Sequence, residues 1–374
     1  MSSILLSIGL VLVLALIAVI VARRIKIPLV AIEVIIGIML GRSCLKLLKT
    51  NVYLDVMANL GLIFLLFLAG LEMGIRRFRR ESIAIAIASF ITPFILGVII
   101  GKTYGISSIL MGTLLSTTSV GIVISVVGEL KINEEMKRLI LESALIVDAL
   151  SMFVLTISLE IERGTPYSSL TISSIAIVAL FVIPLIISKT RIKKYLTRWI
   201  ANESHFKQEV RFCLALTIII AGFFEFLGFH AILGSFLAGL IISEITEEGD
   251  AIREKLLGLG YGFFIPFFFI VAGATVNIPL LVRQGNIDLV LLLLLAGIGG
   301  KVLGVLITSI FMKIPIKIGA VMGILHSARL SLIIAGAKLG LDLGLISQSI
   351  YSAITLFALA TVLLSPLISK LLAH

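Results

Sequence analysis

The sequence predicts an all-α polytopic membrane protein, and three observations carry that reading. Of its 374 residues, 59% are hydrophobic and only 14% charged, with a mean hydropathy of +1.21. A soluble domain, with roughly a quarter of its residues charged, does not hide that much apolar surface. Apolar runs of about 20 residues, each long enough to cross roughly 30 Å of hydrocarbon, recur from end to end. The basic residues gather in alternate short loops, as membrane topology requires. With lipid as solvent the backbone must satisfy its own hydrogen bonds, which selects helices; the alternating pattern of barrel strands does not occur.

About thirteen spans of transmembrane length follow, near 3–22, 27–47, 53–73, 82–101, 106–128, 136–159, 169–188, 208–227, 229–244, 255–277, 287–312, 316–338 and 347–369. The first has no basic residues before it and Arg23, Arg24 and Lys26 after it. This reverses a cleavable signal peptide and implies a retained helix with its N-terminus outside. Loops after odd-numbered spans are rich in Lys and Arg, as in Arg76–Arg80 and Lys189–Arg198. Loops after even-numbered spans hold few, among them Arg42, Lys46, Lys49 and Arg283. The odd loops and the C-terminus are therefore expected in the cytoplasm, in a plasma membrane.

The formal net charge of +10 belongs to this topology and does not call for a nucleic-acid partner. No phosphate loop, dinucleotide fingerprint or ligand-spaced metal cluster is present. His230 and His326 lack ligand-spaced partners, so no resident metal and no cofactor are expected. A membrane enzyme would want a nucleophile–base pair or a metal site, and neither is found. Cys44 and Cys213 fall on opposite sides of the membrane in this topology, which argues against a disulfide.

The two halves are alike. Pro28–Gly37 is similar to His230–Gly239, and Phe67–Gly70 to Ile270–Gly273, each pair separated by about 200 residues. Two six-span repeats, about 3–159 and 208–369 and joined by the span at 169–188, would have opposite orientations. That is a transporter plan with its site at the midplane. A single transporter domain over residues 1–374, with no soluble regulatory domain, is expected.

Asp148 lies about halfway along the sixth span, in Glu142-Ser-Ala-Leu-Ile-Val-Asp-Ala-Leu-Ser151. A carboxylate there costs several kcal/mol unless paired, hydrated or protonated. Burial favours the protonated form of a carboxylate and a bound cation favours the ionised one, which is the competition an exchanger needs. The alternative is a protonated structural acid. Ser151, one turn later, could add a ligand on the same face or bond back to its own helix. In the fifth span, Ser116-Thr-Thr-Ser-Val-Gly121 weakens the helix at mid-membrane. A break there would offer carbonyls and the hydroxyls of Thr117, Thr118 and Ser119 to a small cation; a hydroxyl-rich packing face is the plainer reading. His326-Ser-Ala-Arg-Leu-Ser331 is equally polar and central in the twelfth span, and Lys301 and Arg329 are the two cations inside spans, placed to balance charge. Glu142 is either a cytoplasmic-funnel residue or a solvated helix end.

Several segments together resemble the monovalent cation:proton antiporter superfamily, and within it the second family with its Kef-type members. They are Ile27–Gly41, Phe64–Glu72, Ser116–Gly121, Phe236–Leu240, Phe267–Gly273 and Gly300-Lys301, in this order over nearly the whole chain. The resemblance implies a homodimer, a panel and a core domain, and an elevator-like motion of one against the other. It also implies that spans 4–6 and 11–13 form the core, with spans 5 and 12 unwound and crossing. Asp148 matches the ion-binding aspartate of that family. The preceding aspartate of many electrogenic members, which commonly pairs with the lysine, is Val147 here, so the partner of Lys301 is open. The expected function is secondary active, electroneutral exchange of Na+ or K+ for protons. The rival readings are a Kef-like gated potassium channel and an organic-anion symporter of similar repeat plan with Arg329 on the anion.

Overall fold

The computed structural model describes residues 4–25, 27–48, 51–73, 79–128, 130, 132–162, 207–226, 231–246 and 251–373. The span expected at 169–188 and the basic loop at 189–198 lie outside them, as do Lys26, Lys49, Arg76, Arg77 and His230. All regular structure among the described residues is helical. Among the described residues, eight stretches are long and apolar enough to cross a membrane, and shorter apolar stretches cover Leu29–Leu40, Ser108–Ile124 and Gly234–Ile245.

The chain divides into two compact units. The first takes in residues 1–15, 50–77 and 163–271. It contains the first part of α1 (Ile4–Ile25) and all of α3 (Val52–Met73), with α8 (Gln208–Phe226), α9 (Ala231–Ile245), α10 (Ala251–Leu259) and the start of α11 (Ile265–Thr275). A π-helical turn over Gly260–Phe264 joins α10 to α11 within the span expected at 255–277. One extra residue per turn is tolerated where glycines crowd the sequence, and Gly260 itself faces Leu68 closely enough that a Cβ would lie 2.6 Å from its Cδ1. Backbones meet directly in this unit. A Cβ on Gly239 would lie 2.0 Å from the Phe67 carbonyl oxygen, and one on Gly70 2.2 Å from that of Phe236. Small residues let helices close up where no hydrophobic force separates protein from lipid. Gly70 and Gly239, each the last residue of one of the segments compared in the sequence, are thus needed for this contact.

The second unit takes in residues 16–49, 78–162 and 272–374. It holds the second part of α1 (Ile4–Ile25), with α2 (Leu29–Leu40), α4 (Arg80–Thr103), α5 (Ser108–Ser116), α6 (Val120–Val127) and α7 (Glu134–Glu162). Its later helices are α12 (Ile278–Arg283), α13 (Ile287–Phe311), α14 (Ile316–His326), α15 (Ser331–Asp342) and α16 (Gln348–Ala373). The second span, expected to run to 47, is helical only to Leu40. At Gly41 the backbone turns extended (φ −85°, ψ −150°) and passes so close to Ala274 that a Cβ would lie 2.3 Å from its Cα. The short helix α12, capped by the Asn277 side chain accepting from the Leu280 N–H, is an addition to the expected plan.

Within this unit α13 lies against α4 through a glycine face. A Cβ on Gly304 would stand 2.4 Å from the Ala88 carbonyl oxygen, and one on Gly300 3.1 Å from Pro93 Cα. Close approach on this face carries the buried Lys301, next in line after Gly300, into the interior. On its other side α4 packs against α7 through Ala86, Phe90 and Val147.

Candidate functional site: two broken helices that cross

The fifth span is two helices, α5 ending at Ser116 and α6 starting at Val120, with Thr117–Ser119 unwound between them. Thr117 adopts φ −56°, ψ 157° and Ser119 φ −115°, ψ 103°, both away from helix. The physical reason is visible in the sequence, since short hydroxyl side chains offer the backbone competing partners. The twelfth span is broken likewise between α14 and α15, over Ser327–Leu330. Each break strands helix-end carbonyls and amides that lipid cannot satisfy.

The two breaks satisfy each other. The Ser119 N–H donates to the Ala328 carbonyl oxygen at 2.8 Å, and the Thr118 hydroxyl donates to the His326 carbonyl oxygen at 2.8 Å. Two buried cations cover the carbonyl end of α5. Lys301 Nζ donates to the Ser116 carbonyl oxygen at 2.5 Å and to Thr118 Oγ1 at 2.9 Å. Arg329 Nε donates to the Thr117 carbonyl oxygen at 3.0 Å, and Nη2 to the Gly297 carbonyl oxygen at 2.8 Å. Its guanidinium lies 5.0 Å from the Phe357 ring centroid, a geometry in which the ring face attracts the cation. Both side chains are fully buried. A helix C-terminus carries partial negative charge, so positive groups are stabilised there.

Asp148 lies half-buried on α7, and its charge acts on Lys301. Val147 beside it is fully buried in the apolar cluster with Ala86 and Phe90. The structure thus brings Thr117, Thr118, Ser119, Lys301 and Arg329 together in one crossing and sets the Asp148 charge within electrostatic reach of it. Ser151 is buried and donates to the Val147 carbonyl oxygen at 2.7 Å, one turn back in its own helix. The Thr117 hydroxyl likewise donates to the Leu114 carbonyl oxygen at 2.9 Å. Glu142 stands apart, toward the start of α7. It accepts from Arg138 Nε at 2.6 Å, Ser82 Oγ at 2.7 Å and the Arg79 N–H at 3.4 Å, tying α7 to the start of α4. Among the described residues no group of three or more His, Cys, Asp or Glu forms a metal site.

Two residues here, Ser89 and Ser143, carried no signal in the sequence. The His326 side chain is fully buried between Ser89 of α4 and Ser143 of α7. Its chain neighbours marked it as polar and central, but nothing local to it announces either serine.

Fold and site together define a multi-span membrane transporter. The family model for "Sodium/hydrogen exchanger, transmembrane" matches residues 11–373, and the chain belongs to that family. The family is one of transporters, so the protein is not an enzyme. "Probable Na(+)/H(+) antiporter 3" of Methanocaldococcus jannaschii is 26% identical over 359 residues, covering 93% of this chain and 91% of that protein. "Cation/H(+) antiporter 17" of Arabidopsis thaliana is 27% identical over 373 residues, covering 91% of this chain and 44% of that longer protein. The solved structure of a sodium proton antiporter from Methanocaldococcus jannaschii at pH 8 superposes with a TM-score of 0.68 over 98% of this chain and 96% of that one. At 16% identity this likeness is one of fold.

Proposed function

We propose that this chain is a secondary active antiporter exchanging a monovalent cation, Na+ or K+, for protons, with Asp148 as the group both ions share. The observation that carries the reading is the crossing itself. Its negative helix ends are already covered by the fixed cations Lys301 and Arg329, and a carboxylate stands on the adjoining helix within reach of that charge. A cation entering there meets Asp148 and unwound backbone, and a proton leaving the carboxylate keeps the charge of the site unchanged. The hydroxyls of Thr118 and Ser119 would add ligands, while those of Thr117 and Ser151 bond back within their own helices. The names borne by the relatives, a Na(+)/H(+) and a cation/H(+) antiporter, support the same class of exchange.

The finer proposals follow from this reading. With Val147 unable to titrate, one proton exchanges for one cation and the cycle is electroneutral. The unit with the crossing is the moving core of an elevator-type cycle, in a homodimer of thirteen-span chains built from two inverted repeats. The N-terminus faces outward in a plasma membrane. The test is flux in proteoliposomes loaded with a pH-sensitive dye and challenged with Na+, K+ or Li+ gradients. Internal pH should change in the direction of exchange. Cation uptake with no proton movement would support the channel reading instead.

A further inference from the structure

The His326 imidazole sits where three elements of the second unit meet. Its Nδ1 is 3.0 Å from Ser89 Oγ of α4. Its Nε2 is 3.1 Å from Ser143 Oγ and 3.4 Å from the Ile140 carbonyl oxygen, both of α7. The hydrogen positions follow from the partners. A carbonyl only accepts, so the nitrogen facing Ile140 is the one that carries hydrogen. The Ser143 hydroxyl donates to the Leu139 carbonyl oxygen at 2.8 Å, which leaves its own lone pair to accept from Nε2–H. Nδ1 then accepts from the Ser89 hydroxyl. Every donor meets an acceptor, in one directed chain running from α4 through α14 to α7. Ser89, Ser143 and His326 are all fully buried.

The same residue also closes the crossing, since its carbonyl oxygen accepts from the Thr118 hydroxyl that Lys301 holds. His326 is therefore bonded through its ring to the two helices flanking the crossing and through its backbone to the crossing itself. Asp148 follows Ser143 by about one and a half turns of α7.

We propose that His326 is a positioning residue for transport: its ring fixes α7, and with it Asp148, against the broken-helix crossing. This rests on the reading of Asp148 as the carrier. Losing the ring frees α7 to shift by tenths of an ångström, which a cation shared between a carboxylate and backbone oxygens would feel as lost affinity.

The test uses the full chain in proteoliposomes, measuring sodium-dependent proton flux over a range of Na+ concentration and pH. His326→Leu, which fills the space without the hydrogen bonds, should raise the sodium KM about fivefold or more, with a smaller effect on maximal rate. His326→Gln, which keeps a donor and an acceptor, should lie between it and the natural chain. Ser143→Ala should show a smaller shift in the same direction. The pH midpoint of transport should stay where it is in all three. An unchanged KM in His326→Gln and Ser143→Ala, even with a lower melting temperature, would make His326 a packing residue and overturn the proposal. A moved pH midpoint would make it a titrating group and overturn it too. These two milder variants decide if His326→Leu fails to insert. Asp148→Asn separates the two readings. Normal exchange by that variant removes the carrier reading, whereas an inactive Asp148→Asn beside unaltered His326 variants removes the positioning claim alone.

Discussion

Lys301 Nζ lies 2.5 Å from the carbonyl oxygen of Ser116, the last residue of α5. The lysine that had no evident carboxylate partner in the sequence is thus spent on a helix end, and the same ammonium also holds Thr118 Oγ1. Lys301→Met is expected to leave that carbonyl and hydroxyl buried without their donor, at a cost of about 3 kcal/mol. Thermal unfolding in detergent, which should show a clear fall in Tm, checks it. An unchanged Tm would mean that the break in α5 is held by other groups.

The proposed electroneutral cycle rests on Val147, which is fully buried among Ala86 and Phe90 and has no group that titrates. Flux in liposomes clamped at different potentials should reverse at equal cation and proton gradients whatever the voltage. Each net charge moved through 100 mV is worth about 2.3 kcal/mol, so an electrogenic cycle would shift its reversal point visibly. Loss of such a shift in a Lys301→Gln variant that still transports would assign the extra proton to Lys301.

Hydroxyl by hydroxyl, the fifth-span residues should differ. Thr118 bridges Lys301 and the His326 carbonyl, whereas Thr117 and Ser151 bond back within their own helices. Thr118→Ala is expected to raise the cation KM about fivefold or more, and Thr117→Ala and Ser151→Ala about twofold or less. Cation titration of flux for each variant decides the ranking.

Two glycines of α13 should respond in opposite ways to alanine. A Cβ on Gly297 would stand 2.5 Å from Arg329 Nη1 and 2.6 Å from Phe357 Cζ, while one on Gly299 meets nothing within 4 Å. Gly297→Ala should displace the guanidinium and abolish flux. Gly299→Ala should transport normally and gain up to about 1 kcal/mol from helix propensity. Tm and flux measured on the pair separate the effects.

Much of this was legible in the sequence because lipid and backbone obey simple rules. Long apolar runs had to be helices, Ser116–Ser119 pointed to a weakened helix, and the break near His326–Ser331 was implied by the family resemblance rather than by its polar residues alone. The partners across the break were not legible. Ser119 meets Ala328, and His326 meets Ser89 and Ser143, through contacts set by tertiary packing between residues far apart in the chain. A lone serine in an apolar helix reads the same whether it bonds back, as Ser151 does, or reaches another helix, as Ser89 does. The early end of α2 at Leu40 depends on Gly41 meeting Ala274, which no local pattern encodes. The π-helical turn at Gly260–Phe264 likewise leaves only a cluster of glycines as its trace.

The central claim is that Asp148 alternately holds a proton and a cation. Asp148→Asn keeps the size of the side chain and, like the protonated acid, offers both a donor and an acceptor, but it neither titrates nor offers an anionic ligand. Reconstituted in proteoliposomes beside the natural chain, it should insert and melt normally, bind no sodium in isothermal titration and show no sodium-driven proton flux. Coupled sodium–proton exchange by Asp148→Asn at near-natural rates would contradict the account.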